Sequence, residues 1–262
     1  MTLIDVHCWI GGYPWRHVPH PEPAVLRSVI EREGIAEAWV GHLPSAWWRD
    51  PLHGNAELLE ALAPHAPALR PVFTIRPDWP RWRDQVDAAV RANAPAVRAY
   101  PMQLGLGADH PALLDLGRAC ADAGLVLLLT TRFEDARQRD ALDVASDLTA
   151  AHVRAIARAT TAQIIVAAPS RSLIEETHWG CTAAERQRIT WDISWLWGPP
   201  EDDLAHLLRT VGGSRLVFGT GWPLRLVQVP RANLDLLPRD VAHEQLAAAA
   251  EIERRAKSAA AR

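Results

Sequence analysis

Short apolar runs of extended type alternate with amphipathic helical stretches along nearly the whole 262-residue chain, and few folds accommodate that pattern. The apolar runs are 3–6, 35–40, 69–75, 96–100, 125–129, 163–167, 188–193 and 215–218. Helical spacing covers 23–32, 55–63, 82–92, 111–123, 150–159 and 202–210. Pro64 stops the second of these helices, and Gly34 and Gly124 close the first and fourth. The run 125–129 is apolar throughout, as a parallel strand buried on both faces requires. About eight strands, most followed by a helix, predict a closed (β/α)8 TIM barrel in a single domain over 1–262. An Ala/Glu/Arg-rich tail over 241–260 reads as helical. A doubly wound open sheet competes, but no Gly-rich phosphate turn follows the first strand.

Composition narrows the partners. The 28 basic and 31 acidic residues leave a net charge of -3, with no basic block or stripe, so nucleic acid is not expected to bind. The apolar runs are too short to cross a bilayer, and the N-terminus shows no basic region followed by an apolar stretch. Cys8, Cys120 and Cys181 are odd in number and match no zinc spacing. A cytoplasmic protein in a reducing setting is expected. Tryptophan stands out at 12 residues. Trp47, Trp48, Trp79, Trp195, Trp197 and Trp222 fall between the expected elements. They pack helices onto strands, wall a pocket for a flat ligand, or form an interface such as that of a homodimer.

In a barrel of this type, chemistry belongs at the C-terminal strand ends. The first strand ends Ile4-Asp5-Val6-His7-Cys8-Trp9, and the last ends Leu216-Val217-Phe218-Gly219-Thr220-Gly221-Trp222-Pro223. Further stretches are Gly54-Asn55, Val97-Arg98-Ala99-Tyr100-Pro101 and Trp191-Asp192-Ile193-Ser194. Together, in this order, they resemble the amidohydrolase superfamily, in the branch of amidohydrolase-2-type metal-dependent hydrolases and decarboxylases. The resemblance spans nearly the whole chain. It implies an Asp-x-His-x-His pair on the first strand, histidines ending the fifth and sixth, and an aspartate ending the last, all serving a metal ion.

The departures concern that metal. His7 matches the first histidine, but Trp9 stands at the second and Gly221 at the aspartate. The fifth and sixth strands end in Thr130-Thr131 and Ala167-Ala168. A catalytic zinc needs about three protein ligands, so the site reads as degenerate and no metal cofactor is expected. The alternative is a rebuilt zinc site drawing on His7, His42 and Asp192.

Without a metal, His7 and Asp192 are the candidate proton-transfer residues, His7 because its ordinary pKa lies near neutrality. Asp5, taken to share its strand face, is a candidate to orient it; a structural histidine bonded to Asp5 is the bland reading. Arg76, Arg98 and Arg132 sit where a clamp for a carboxylate would. Arg98 and Arg132 are otherwise expected to pair with Asp192, Glu134 or Asp5, since an unpaired buried charge is costly. Trp9, His42 and Trp222 complete the candidate substrate contacts. Cys8 should face the helix layer, and no Gly-x-Ser-x-Gly elbow occurs. The stretch 134–140 reads as a loop over the mouth. The function expected is an amidohydrolase-like hydrolase or lyase acting on a small carboxylate-bearing or aromatic molecule. A non-catalytic small-molecule-binding pseudoenzyme, with Trp9 and Trp222 filling the old metal chamber, is the alternative. A structural partner subunit is a third reading.

Overall fold

A computed structural model describes residues 2–261. Eight parallel strands neighbour one another in chain order: β1 (Ile4–Ile10), β2 (Glu37–His42), β3 (Leu69–Thr74), β4 (Ala96–Ala99), β5 (Val126–Thr130), β6 (Ile164–Ala167), β7 (Ile189–Asp192) and β8 (Leu216–Val217). The circle closes where the Val6 amide donates to the Phe218 carbonyl and the Gly221 amide to the His7 carbonyl, at 3.1 and 2.7 Å. Around it run α1 (Pro23–Arg32), α2 (Leu52–Leu62), α3 (Trp82–Arg91), α4 (Pro111–Ala123), α5 (Ala150–Ala159), α6 (Arg171–Gly180), α7 (Ala183–Arg186), α8 (Asp203–Thr210), α9 (Gln228–Asp235) and α10 (Ala249–Ala260). This is a single-domain (β/α)8 barrel. No described helix is long and apolar enough to cross a membrane.

Two apolar layers follow from strand alternation. One core lies between sheet and helices and holds Cys8, Val40, Val97, Leu127 and Leu129. The other fills the barrel with Val6, Trp39, Val72, Ala96, Val126, Leu128, Ile165 and Val217, and α10 adds Ala249, Ile252 and Ala256 to it. Trp39 and Trp191 are buried core residues, one in each layer.

Three local expectations change. The tail is irregular over 241–248 and helical only in α10. Residues 171–180 form α6, so His178 lies on a helix and Cys181 is a buried residue behind it. Strand β1 carries an irregularity between Asp5 and Cys8 where its register with β2 shifts. That slip breaks the alternation. Val6 and His7 both lie on the barrel side, Cys8 packs outward as expected, and Asp5 turns away from the imidazole it was expected to orient.

Candidate active site

The central pair is His7 on β1 and Asp192 at the end of β7, both fully buried. His7 Nδ1 stands 2.5 Å from Asp192 Oδ2 and 3.2 Å from Ser194 Oγ. The second carboxylate oxygen of Asp192 accepts from the Ala168 amide at 3.0 Å, the Ser194 amide at 3.2 Å and the Ser194 hydroxyl at 2.9 Å. Nδ1 thus faces both the carboxylate and the Ser194 hydroxyl, and Nε2 is buried without a partner. Burial holds the His7 pKa below its ordinary value, opposed by the Asp192 charge and hydrogen bond. Gly219 makes the approach possible: a Cβ there would lie 2.8 Å from Asp192 Oδ2 and 3.0 Å from His7 Cβ.

Asp5 serves the backbone instead. Its carboxylate accepts from the His7 amide at 3.0 Å, the Cys8 thiol at 2.9 Å, and the Thr220 amide and hydroxyl at 3.1 and 2.6 Å. It ties β1 to the segment after β8. Burial raises its pKa above the ordinary carboxylate value and pushes the Cys8 thiol well up. A thiol so held is a poor nucleophile.

Above the pair stand His7, Trp9, Arg132, Ser194, Trp195 and Arg225, packed so that about 0 Å³ between them admits the centre of a water-sized sphere. Small-molecule pockets ordinarily run to roughly 300–1,000 Å³, so the mouth is closed. Trp9 fills one side. Its ring meets His7 edge-on at 4.3 Å between centroids, its Nε1 donates to the Tyr100 hydroxyl at 3.1 Å, and Phe133 packs beside it at 5.5 Å. Tyr13, Trp47 and Leu224 extend this aromatic cap. An ion pair between Arg16, from the loop after β1, and buried Glu134, from the loop after β5, clasps it from outside.

Two guanidinium groups line the mouth. Arg132 pairs with Asp147 at 2.7 Å and lies 5.4 Å from the Trp195 ring centroid. Arg225 lies 4.1 Å over the same ring. Each keeps a buried Nε without a partner, and burial lowers the pKa of each. Sequence reading missed Arg225 because it lies in an irregular segment four residues beyond Gly221; its spacing after the last strand was the available signal.

The other candidates lie elsewhere. His42, at the end of β2, turns toward α2, bonded to Ser45 Oγ at 2.8 Å and 3.4 Å from Glu57. Period-two geometry explains this, since Trp39, three positions away and so on the opposite face, points into the barrel. Arg76 is held by Asp78 at 3.1 Å beside Trp79, lining an outer groove between α2 and α3. Trp222 packs against the core between sheet and helices. Arg98 is completely buried inside the barrel, 4.9 Å over the Trp9 ring. Neither Arg98 nor Arg132 pairs with Asp192, Glu134 or Asp5, the partners expected from the sequence.

The resemblance implies a divalent ion; beside His7 stand one carboxylate, Asp192, the Ser194 hydroxyl, the Trp9 indole and the Arg98 guanidinium, whose charge opposes that of a cation. Among the described residues no three His, Cys, Asp or Glu side chains gather as ligands.

Comparison with solved structures finds the same fold in several proteins. A dihydroxybenzoic acid decarboxylase from Polaromonas, solved with manganese and the inhibitor 2-nitroresorcinol, superposes with a TM-score of 0.69 at 10% identity over 97% of each chain. A 5-carboxyvanillate decarboxylase from Sphingomonas paucimobilis gives 0.68 at 12% identity, over 97% of this chain and 99% of that one. A protein described as amidohydrolase II gives 0.61 at 14% identity, over 98% and 100%. At such identities the likeness establishes the fold. No known protein-family pattern and no curated protein sequence matches this chain.

Proposed function

We propose that the protein is a hydrolase or lyase for a small carboxylate-bearing, flat molecule, working by proton transfer at His7 without a divalent metal. The observation that carries this reading is the buried His7–Asp192 pair, with Nε2 unpartnered beneath a closed mouth lined by Arg132 and Arg225. Asp192 holds the ring and stabilises the imidazolium when Nε2 takes a proton. The two guanidinium groups are placed to bind a carboxylate, and Trp195 and Phe133 to flank a ring. Entry requires the aromatic cap and the Arg16–Glu134 clasp to open. The fold's occurrence in decarboxylases of aromatic acids supports the substrate class.

The test is a panel of aromatic and aliphatic carboxylates offered to chelator-treated protein, scoring carbon dioxide release and ester or amide cleavage. Turnover that vanishes in His7→Asn and needs no added metal is expected. Turnover restored only by manganese or zinc would sink the metal-free mechanism. The closed mouth favours one second reading, a binding protein that turns nothing over. Ligand binding unaccompanied by turnover, and unchanged in Asp192→Asn, would select it.

A further inference from the structure

Arg98 poses a problem that the site above does not solve. It is 0% exposed, yet among the described residues no carboxylate lies within 4.0 Å of it. Its Nε and Nη1 have no partner, and Nη2 reaches only the Val6 carbonyl, at 3.5 Å. The Trp9 ring covers one face of the guanidinium. A buried charge left without a counter-ion is more costly than such a ring contact offsets.

The surroundings are also donors. Thr74 on β3 is the register partner of Arg98, and its hydroxyl is buried without a partner. Thr130 follows two residues after Leu128, the register partner of Arg98 on β5, and its hydroxyl is likewise buried and unpartnered. Ala96, Val72 and Leu128 point into the barrel, so period-two alternation turns Arg98, Thr74 and Thr130 inward with them. Gly41 on β2 lets the Trp9 ring and the guanidinium pack against its backbone: a Cβ there would lie 3.6 Å from Nη1 and 3.1 Å from Trp9 Cδ1.

We propose that the barrel interior is a binding site for a small monoanion, a halide or a formate-sized oxyanion, held by Arg98 Nε and Nη1 with the hydroxyls of Thr74 and Thr130. The unpartnered groups at this height are a fixed cation and hydroxyl donors, and the common ligand of such a set is negative. A buried water satisfies hydrogen bonds but brings no charge. The anion supplies both. This site lies below the mouth, and its existence does not depend on the proposed reaction.

The test uses the full chain with sodium bromide as the halide probe, sodium formate as the oxyanion probe, and sodium gluconate at matched ionic strength as a bulky control. Bromide, formate or both should raise the melting temperature saturably, and gluconate should not. Arg98→Met should abolish the saturable rise, and Thr74→Val should weaken its midpoint about tenfold. Should Arg98→Met fail to fold, Thr74→Val decides the matter. Asp192→Asn should keep the full anion effect while losing turnover, so that failure of the reaction and failure of the anion site give different results. The proposal falls if neither anion stabilises the protein beyond gluconate, or if the variants respond as the parent does.

Discussion

The two ends of the barrel treat buried charge in opposite ways. At the N-terminal base, Arg70 bonds Glu253 through both Nη atoms at 2.7 and 2.8 Å and reaches Glu37 at 3.2 Å. Glu37 also accepts from Trp39 Nε1 at 2.8 Å, and Lys257 joins Glu253 at 2.7 Å. This network pins α10 under the barrel, and each of its charges has a partner. Toward the C-terminal end, Arg98 inside the barrel has no carboxylate beside it, and at the mouth above it the atoms His7 Nε2, Arg132 Nε and Arg225 Nε have no hydrogen-bond partner. A base completed by the chain itself serves stability. A mouth left short of acceptors is arranged for something outside the chain.

Four experiments sharpen or break that contrast. The largest expected effect is at the mouth: Asp192→Asn should lower turnover by about 10²–10⁴-fold while the fold persists in circular dichroism. Activity within threefold of the parent would remove the His7–Asp192 pair from the mechanism. Next comes the base. Arg70→Ala leaves Glu253 and Glu37 without their shared cation and should cost about 3 kcal/mol in urea unfolding, with ligand affinity at the mouth unchanged. A loss of affinity instead would mean the two ends are not separable.

Gly219→Ala should be smaller and mixed. The added methyl collides with Asp192 Oδ2 and His7 Cβ, costing about 1–3 kcal/mol of stability and reducing turnover through the lost Nδ1–Oδ2 contact. Unfolding and rate measurements on one preparation check both.

The smallest effect is in pH. Burial lowers the folded-state pKa of His7 and of His42 from the ordinary 6.5. For a base so shifted the unfolded chain binds more protons, so stability is complete above pH 6.5. It is lost as pH falls below that value toward the folded pKa of each histidine, by at most about 1.4 kcal/mol per pH unit for each. His42→Gln should flatten the slope without touching turnover. An unchanged slope in that variant would assign the dependence to His7 or to the carboxylates.

Much of this architecture is local and therefore readable from the chain. The apolar run 125–129, observed as β5 over Val126–Thr130, is a buried parallel strand whatever surrounds it. The helices Pro23–Arg32, Pro111–Ala123 and Ala150–Ala159 begin and end where the sequence predicts. Proline opens the first two, and Gly124, with φ of 66°, closes the second. Helix α6 escaped because mixed polarity and His178, Trp179 and Gly180 at its end blur the period.

Alternation along a strand told which residues were candidates for the mouth, because period two is a property of the strand alone. It failed for Asp5, since the slip in β1 is set by pairing with β2, which no window of β1 contains. It turned Arg98 inward but was silent on its partners and on those of Arg132 and Arg225. Which carboxylate a guanidinium meets depends on residues brought together from distant strands, such as the 2.5 Å contact that gives Asp192 to His7 rather than to an arginine. The sequence by itself determined the barrel and the list of groups at its rim. Only the tertiary structure decided which charges are satisfied, because desolvation and pairing are properties of the assembled interior.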